Sequence, residues 1–274
     1  MTTVLVTGCS SGFGLLTAVE LASRGDIVFA TMREPSRGDG LRQALADAGT
    51  DATIVALDVL DDASVQGAVS TVLEAGPLDV LVNNAGIGYV GPLEEMPDEQ
   101  IDDTFATNIG GTIRVTKAVL PSMRAAGRGH IVNVTSMAAF LAPPFMGIYA
   151  ASKHALDAIG ESLAQEVAPY GIHVTNVAPG AYNTRMIEGV DDARAATETS
   201  AYGERFLTAV QRHEAMMRAA DTPEDVAIAI ADAIHADPPP ARVVVPAESA
   251  GFVSARGSLA PEQLRGIMSQ TYGV

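Results

Sequence analysis

Tryptophan is absent from this sequence, cysteine occurs once, and lysine and arginine are scarce. Each shortage excludes something. With only 7 Phe and 6 Tyr, the core must be filled by Ala, Val, Ile and Leu, the usual filling of a helix-covered parallel sheet. The lone cysteine, Cys9, permits no disulfide within the chain and no cysteine-based zinc site, and it fits a reducing compartment. The five histidines show no H-E-x-x-H spacing, so no metal is expected. The 17 basic residues face 33 acidic ones, a net charge of −16. A field of that sign repels phosphate backbones and anionic lipid, which argues against nucleic-acid and membrane partners. It leaves open an anionic cofactor held by backbone N–H groups in a local pocket.

Two further absences concern location. Residues Met1–Gly8 lack a basic n-region and run straight into a strand-like segment, so they do not read as a signal peptide, and a cytoplasmic protein is expected. Charge is also missing from Ile131 to Ser152. That run is long enough to span a bilayer. Asn133, Thr135, Ser136, Gly147 and the paired Pro143-Pro144 instead favour a strand, a loop and a helix start.

What is present is an alternation of short apolar runs and longer helical patterns. Strands are predicted at Thr3–Thr7, Ile27–Met32, Thr53–Asp58, Val80–Asn83, His130–Thr135, His173–Ala178 and Arg242–Val245. Helices are predicted at Gly12–Ser23, Leu41–Ala48, Ala63–Glu74, Asp98–Phe105, Gly110–Arg124, Tyr149–Ala168 and Thr222–Ala236, the last opening with Thr222 as N-cap. The pattern predicts a doubly wound α/β fold, a parallel seven-stranded sheet with helices on both faces, in one domain over 1–274. Two segments break it. An insert at 181–220 has no predicted strand, and a tail at 246–274 has no predicted docking place. An insert of that kind reads as a lid or as a surface helical pair.

Three motifs carry chemistry. Thr7-Gly8-Cys9-Ser10-Ser11-Gly12-Phe13-Gly14 follows the first strand and opens the first helix. Its glycines suit a tight turn approached by a pyrophosphate at a helix N-terminus, or a tight turn with no ligand. Asn83-Asn84-Ala85-Gly86 ends the fourth strand, where ligands of open sheets lie, and equally suits an Asx-turn. Ser136 ends the fifth strand, and Tyr149 and Lys153 stand four apart on one helix face. A nearby ammonium lowers a phenol pKa, which would suit Tyr149 to acid–base work, while Ser136 could hydrogen-bond a carbonyl oxygen. A lone pair of this spacing also occurs as a surface helical contact.

Taken together, Thr7–Gly14, Asp58-Val59, Asn83–Gly86, Asn108, Ser136, Tyr149, Lys153 and Pro179-Gly180 fall in the order of the short-chain dehydrogenases/reductases, and the chain resembles that family over about residues 3–245. Gly8–Gly12 and Ala30-Thr31-Met32-Arg33 are most similar to its hydroxysteroid and retinol dehydrogenase branch. The resemblance implies a Rossmann-type NAD(P)-dependent oxidoreductase. It implies Tyr149 as general acid/base, Lys153 on the nicotinamide ribose and tuning the tyrosine, Ser136 orienting the substrate oxygen, and Asn108 holding a relay water. It implies cofactor contacts from Gly8, Ser10, Ser11, Gly12, Phe13, Gly14, Asp58, Val59, Asn84, Ala85, Gly86, Pro179, Gly180 and Thr184. Asp58 also reads as a turn-closing acid.

Cofactor choice turns on the end of the second strand, where NAD enzymes usually carry an acid for the ribose 2′-OH. Here Met32 and Arg33 stand there, with Arg37 nearby, which favours NADP(H) over NAD(H); Glu34 argues mildly the other way. Substrate walls are implied at Met137, Phe140, Leu141, Pro143, Phe145 and Met146, then Tyr182, Met186 and Ile187. An apolar, adaptable pocket for a hydrophobic ketone, aldehyde or alcohol is expected. The family resemblance also implies a homodimer or homotetramer built through the helices at Gly110–Arg124 and Tyr149–Ala168. Two competing readings are an extended-family epimerase, against which the Gly8, Gly12, Gly14 spacing speaks, and a dinucleotide-sensing regulator, which would not need Tyr149.

Overall fold

A computed structural model describes residues 1–182, 187–188, 200–219 and 222–274. Mostly apolar runs form the strands β1 (Thr3–Val6), β2 (Ile27–Met32), β3 (Thr53–Ala56) and β4 (Val80–Asn83), then β6 (Gly129–Val134), β7 (Ile172–Pro179) and β9 (Arg242–Val245); the edge strands β3 and β9 are only partly buried. They pair in parallel in the order β3-β2-β1-β4-β6-β7-β9. The chain moves outward from β1 to β3, then returns to place β4 beside β1, with Val6 opposite Val82. That reversal opens a crevice beyond the carboxyl ends of β1 and β4, the usual ligand position in such sheets.

Helices α1 (Gly12–Ser23) and α2 (Asp39–Asp47) pack on one face. On the other lie α3 (Asp62–Ala75), α5 (Thr112–Ala126) and α6 (Gly147–Val167). Each face has its own core, one around Val4, Val6 and Leu21, the other around Leu5, Leu81 and Ile131. Asp61 caps α3 by accepting from the Ala63 and Ser64 amides. The uncharged run resolves into β6, a turn and the start of α6, as expected. Among the described residues no helix is long and apolar enough to cross a membrane.

Three local expectations need correction. Between α4 (Asp98–Phe105) and α5, residues Ala106–Gly111 form a π-helical turn, so the helix expected at Gly110 starts at Thr112. The insert does contain strand: β8 (Ile187–Glu188) pairs in parallel with β5 (Gly88–Tyr89), a ladder too short to leave a periodic pattern. The insert then forms α7 (Gly203–Ala219). Helix α8 (Glu224–His235) has Pro223 at its N-cap; Thr222 contributes its carbonyl, which accepts from Asp225 N–H at 3.1 Å.

The tail folds back as α9 (Ala250–Ala255) and α10 (Pro261–Tyr272). Arg212 of α7 donates from Nη1 to the Gln270 carbonyl at 2.7 Å, near the end of α10 where carbonyls lack helical partners. Arg256 donates from Nε to the Phe140 carbonyl at 2.7 Å.

Candidate active site

The first part of the site is the cleft at the β1–β4 crossing. Thr7 holds its two walls together. Its hydroxyl accepts from the Asn84 and Ala85 amides at 2.9 and 3.0 Å, and its carbonyl accepts from Asn84 Nδ2 at 2.8 Å. Gly8 takes φ +74°, and a Cβ there would stand 2.9 Å from Ala85 Cα. Gly14 lies behind the turn, where a Cβ would meet the Gly8 carbonyl at 2.3 Å. It packs helix on strand rather than lining the cleft. Ser11 is the N-cap of α1, extended and without a side-chain cap bond among the described residues. The first-turn amides of α1 therefore remain available to an anion.

The cleft has a volume of about 340 Å³. Gly8, Ser10, Ser11, Gly12 and Phe13 line its turn, Met32, Arg33, Asp58 and Val59 its far end, and Asn84, Ala85 and Gly86 its floor. Leu57, Leu60, Ile87, Tyr89, Asp103 and Thr107 also line it, and the sequence reading missed them. Asp58 combines both readings, since its Oδ1 accepts from Leu60 N–H at 3.0 Å while the residue lines the cleft. Glu34 lies 3.9 Å from Arg37, so its partner is not Arg33. Cys9 is buried, with Sγ 3.3 Å from the Val6 carbonyl and its thiol pushed up to about 12 by burial, so it packs.

The second part is a buried cluster at the N-terminal end of α6. Tyr149 and Lys153 are both 2% exposed, and Asn108 is 1% exposed. Lys153 Nζ donates to the Val134 carbonyl at 2.9 Å and stands 5.8 Å from the Tyr149 ring centroid. Ser136, just past β6, stands beside the Tyr149 phenol and lowers its pKa. Its Oγ also accepts from Ala138 N–H at 3.0 Å. The π turn carries Asn108, whose side chain clamps Ile87. Asn108 Oδ1 accepts from Ile87 N–H, and Nδ2 donates to the Ile87 carbonyl, both at 2.8 Å. Nδ2 also reaches Ser152 Oγ at 2.9 Å, and Ser152 donates to the Tyr149 carbonyl at 2.7 Å. The Asn108 amide is thus engaged with protein. Its main-chain carbonyl accepts the Thr112 hydroxyl at 3.0 Å. Gly88 went unnoticed in the sequence, yet a Cβ there would come within 2.8 Å of Tyr149 Cδ2.

Burial sets the electrostatics. The Tyr149 phenol is pushed up to about 12 by desolvation, opposed by the neighbouring Ser136 hydroxyl. Desolvation brings the Lys153 ammonium down to about 8. In the protein alone burial outweighs the Ser136 contribution, and the Tyr149 phenol stands above its ordinary value.

The third part is an apolar cavity of about 350 Å³ with Ser136 and Tyr149 in its wall. The loop after Ser136 contributes Met137, Leu141, Pro143 and Met146, and the chain after β7 contributes Gly180 and Tyr182. Pro179 is the buried last residue of β7, and Gly180 N–H donates to the Val245 carbonyl at 2.7 Å. Phe13 lines this cavity as well as the cleft, so the two meet at its ring. That ring packs edge-on against Tyr182 at 5.7 Å.

Two expected wall residues point elsewhere. The Phe140 ring lies under the Arg242 guanidinium at 4.8 Å. Phe145, at φ +65°, packs on Phe206 at 5.0 Å and Tyr202 at 6.1 Å. Neither is among the described residues that line the cavity. Thr184, Met186 and the Ile187 side chain lie outside the described residues. The roof is built by the insert, read from the sequence as a lid or a surface helical pair, and by the tail, for which no docking place is predicted. His213, Met216 and Met217 of α7 supply part of it, and Phe252, Met268 and Tyr272 of the tail supply the rest. His213 stacks on Tyr272 at 6.3 Å, and its pKa is lowered by burial. Among the described residues no group of three His, Cys, Asp or Glu side chains is placed to hold a metal ion.

Comparison with known proteins agrees with this geometry. The family model described as short chain dehydrogenase matches residues 2–195. A 3-ketodihydrosphingosine reductase from Bacteroides thetaiotaomicron is 36% identical over 88% of this chain and 87% of its own length. Retinol dehydrogenase 8 from Bos taurus is 38% identical over 88% of this chain and 80% of its own. Among solved structures, actinorhodin polyketide ketoreductase with NADPH superposes with a TM-score of 0.76 at 32% identity, covering 89% of this chain and 95% of that one. A short chain dehydrogenase/reductase from Burkholderia phymatum in complex with NAD gives 0.80 at 27% identity, covering 94% and 93%.

Proposed function

The chain belongs to the short chain dehydrogenase family, an NAD(P)-binding oxidoreductase acting on CH–OH and C=O groups, and from that premise we propose that it interconverts a hydrophobic ketone or aldehyde and its alcohol with NADP(H), Tyr149 being the acid–base group. The observation that carries this reading is the Tyr149 phenol beside Ser136 in the wall of an apolar cavity that meets the glycine cleft at Phe13.

The residues present fit a dinucleotide. The α1 amides past Ser11 would hold the pyrophosphate, and a Cβ at Gly8 or Gly14 would close the turn they need. Asp58 and Val59 would hold the adenine end, and Lys153 with Asn84–Gly86 the nicotinamide end. Met32 and Arg33 support the choice of NADP(H): β2 ends in an apolar side chain followed by an exposed guanidinium at the cleft, suited to a 2′-phosphate. When bound, this cofactor supplies or accepts the hydride. The chain's own residues manage the proton. Ser136 orients the substrate oxygen, and Tyr149, protonated at neutral pH, donates to it as negative charge develops. The Met-rich walls exclude water around that transfer.

We extend the reading to a homodimer or homotetramer through α5 and α6, where Ile113 is 38% exposed. Light scattering during size-exclusion chromatography tests that extension. A panel of ketones, aldehydes and alcohols with NADPH and NADH, followed at the nicotinamide absorbance, tests the activity. Turnover of apolar members that is lost in Tyr149→Phe is the expected result. Turnover restricted to small anionic ketoacids would overturn the substrate class.

A further inference from the structure

A row of polar side chains crosses the sheet where almost everything else is Val, Leu or Ile. Asn83 of β4 stands opposite Asn133 of β6, Asn133 opposite Asn176 of β7, and Asn176 opposite Arg242 of β9. The three amides are 2–3% exposed. Each donates to the next. Asn83 Nδ2 reaches Asn133 Oδ1 at 3.0 Å, and Asn133 Nδ2 reaches Asn176 Oδ1 at 3.1 Å. Asn176 Nδ2 ends the chain on Asp157 of α6, at Oδ1 (3.0 Å) and at the main-chain carbonyl (2.9 Å). Arg242 Nη2 holds the other carboxylate oxygen at 2.6 Å and Glu161 at 2.8 Å.

The direction of the row follows from its end. An ionised carboxylate only accepts, so Asn176 must turn its NH₂ to Asp157 and its carbonyl to Asn133, and the same choice passes to Asn83. At the far end Asn83 Nδ2 also donates to Thr116 Oγ1 of α5 at 3.0 Å. The row therefore ties together α5, which continues the Asn108 turn, the strand that leads into Asn84–Gly86, and α6. On α6, Tyr149, Lys153 and Asp157 succeed one another at four-residue spacing on one face. Next along is Gly160, where a Cβ would stand 2.2 Å from Asn176 Oδ1, so the helix sits against the amide row with no room to spare. Arg242 also covers the ring of Phe140, in the loop that follows Ser136.

We propose that Asp157, acting with Arg242 through this amide row, is a positioning residue that fixes the seat of α6 on the sheet and with it the reach of Tyr149 and Lys153 to Ser136. It touches no reacting atom. The proposal rests on the reading of Tyr149 as the proton donor, so its test includes a readout that needs no substrate. The full chain is compared with Asp157→Ala, Asp157→Asn and Arg242→Leu. The readouts are melting temperature, steady-state reduction of 1-tetralone by NADPH, and the Tyr149 Cζ resonance of ¹³C-tyrosine-labelled protein, assigned with Tyr149→Phe.

Asp157→Ala is expected to lower kcat about tenfold with KM for NADPH changed less than about twofold, and to displace the Tyr149 resonance. Asp157→Asn, which still accepts from Asn176, returns both toward wild type. A lower melting temperature with unchanged kcat and an unmoved resonance would mean that the row only stabilises the fold, and would overturn the proposal. Should Asp157→Ala not fold, Arg242→Leu decides: about a threefold loss of kcat with a displaced resonance supports it, and no change in either overturns it. A wild-type enzyme inert toward 1-tetralone would count against the proposed activity, while the resonance would still decide the role of Asp157.

Discussion

Lys153 donates from its ammonium to the carbonyl of Val134, the last residue of β6 and two before Ser136, at 2.9 Å. The Lys153 ammonium is thus anchored to the strand end that leads to the serine. Burial brings its pKa down to about 8, while Tyr149 is held near 12. The sign follows directly. Below pH 8 Lys153 is charged and Tyr149 protonated, the state reduction needs. Above it the ammonium is lost, although the phenol remains. kcat/KM for ketone reduction should be level on the acid side and fall about tenfold per pH unit above about pH 8. The limb belongs to Lys153, so Lys153→Met should lower kcat/KM by about 100-fold and abolish the limb. A limb that persists in that variant would assign it to another group.

Gly88 tests how closely the tyrosine is held. A Cβ at Gly88 would approach Tyr149 Cδ2 to 2.8 Å, so Gly88→Ala must push the ring from its place. Overpacking of this kind costs about 1–3 kcal/mol. The expected result is a drop in kcat of about tenfold with NADPH binding intact, since the glycine cleft is not touched. Equal losses in kcat and in NADPH affinity would show that the change had spread to the cofactor cleft.

Arg33 tests cofactor choice. It is exposed at the cleft, and Glu34 lies beside Arg37 instead. Arg33→Ala should raise KM for NADPH by about tenfold and leave KM for NADH within about twofold, because only the former carries the 2′-phosphate. Equal kcat/KM for the two cofactors in wild type, unchanged in the variant, would reassign the preference.

Legibility differed by length scale. The strands of the large sheet could be read from the chain because its inner parallel strands are largely apolar on both faces, as in Val80–Asn83, which is buried throughout. The glycine turn and the Tyr149–Lys153 pair were also legible, because helical spacing alone puts residues four apart on one face. The π turn around Asn108 was not, since one extra residue in a helical stretch leaves the apolar period almost intact. Phe140 and Phe145 illustrate a second limit. Their place after Ser136 was correct, but a sequence does not carry χ angles, and Arg242 and Phe206 claimed the two rings. The cavity roof was illegible for a third reason. His213 and Tyr272 meet face to face only because α10 returns to α7, and no local spacing encodes that return.

The return itself can be tested through Arg212. Its guanidinium reaches the Gln270 carbonyl at 2.7 Å, and a Cβ at Gly273 would come within 2.8 Å of its Nε. Arg212 is exposed and lines neither cavity nor cleft among the described residues, so its substitution alters the roof only by releasing α10. Arg212→Ala should lower Tm by about 2–4 °C, the effect of about 1 kcal/mol in a chain of this size. Its catalytic signature should be selective. KM for a large apolar ketone that reaches Met268 and Tyr272 should rise several-fold, while KM for a small ketone and for NADPH stays within about twofold. Deleting α10 (Pro261–Tyr272) should give the same pattern more strongly. A uniform rise in KM for small and large substrates would show that the tail supports the whole site and not its roof alone.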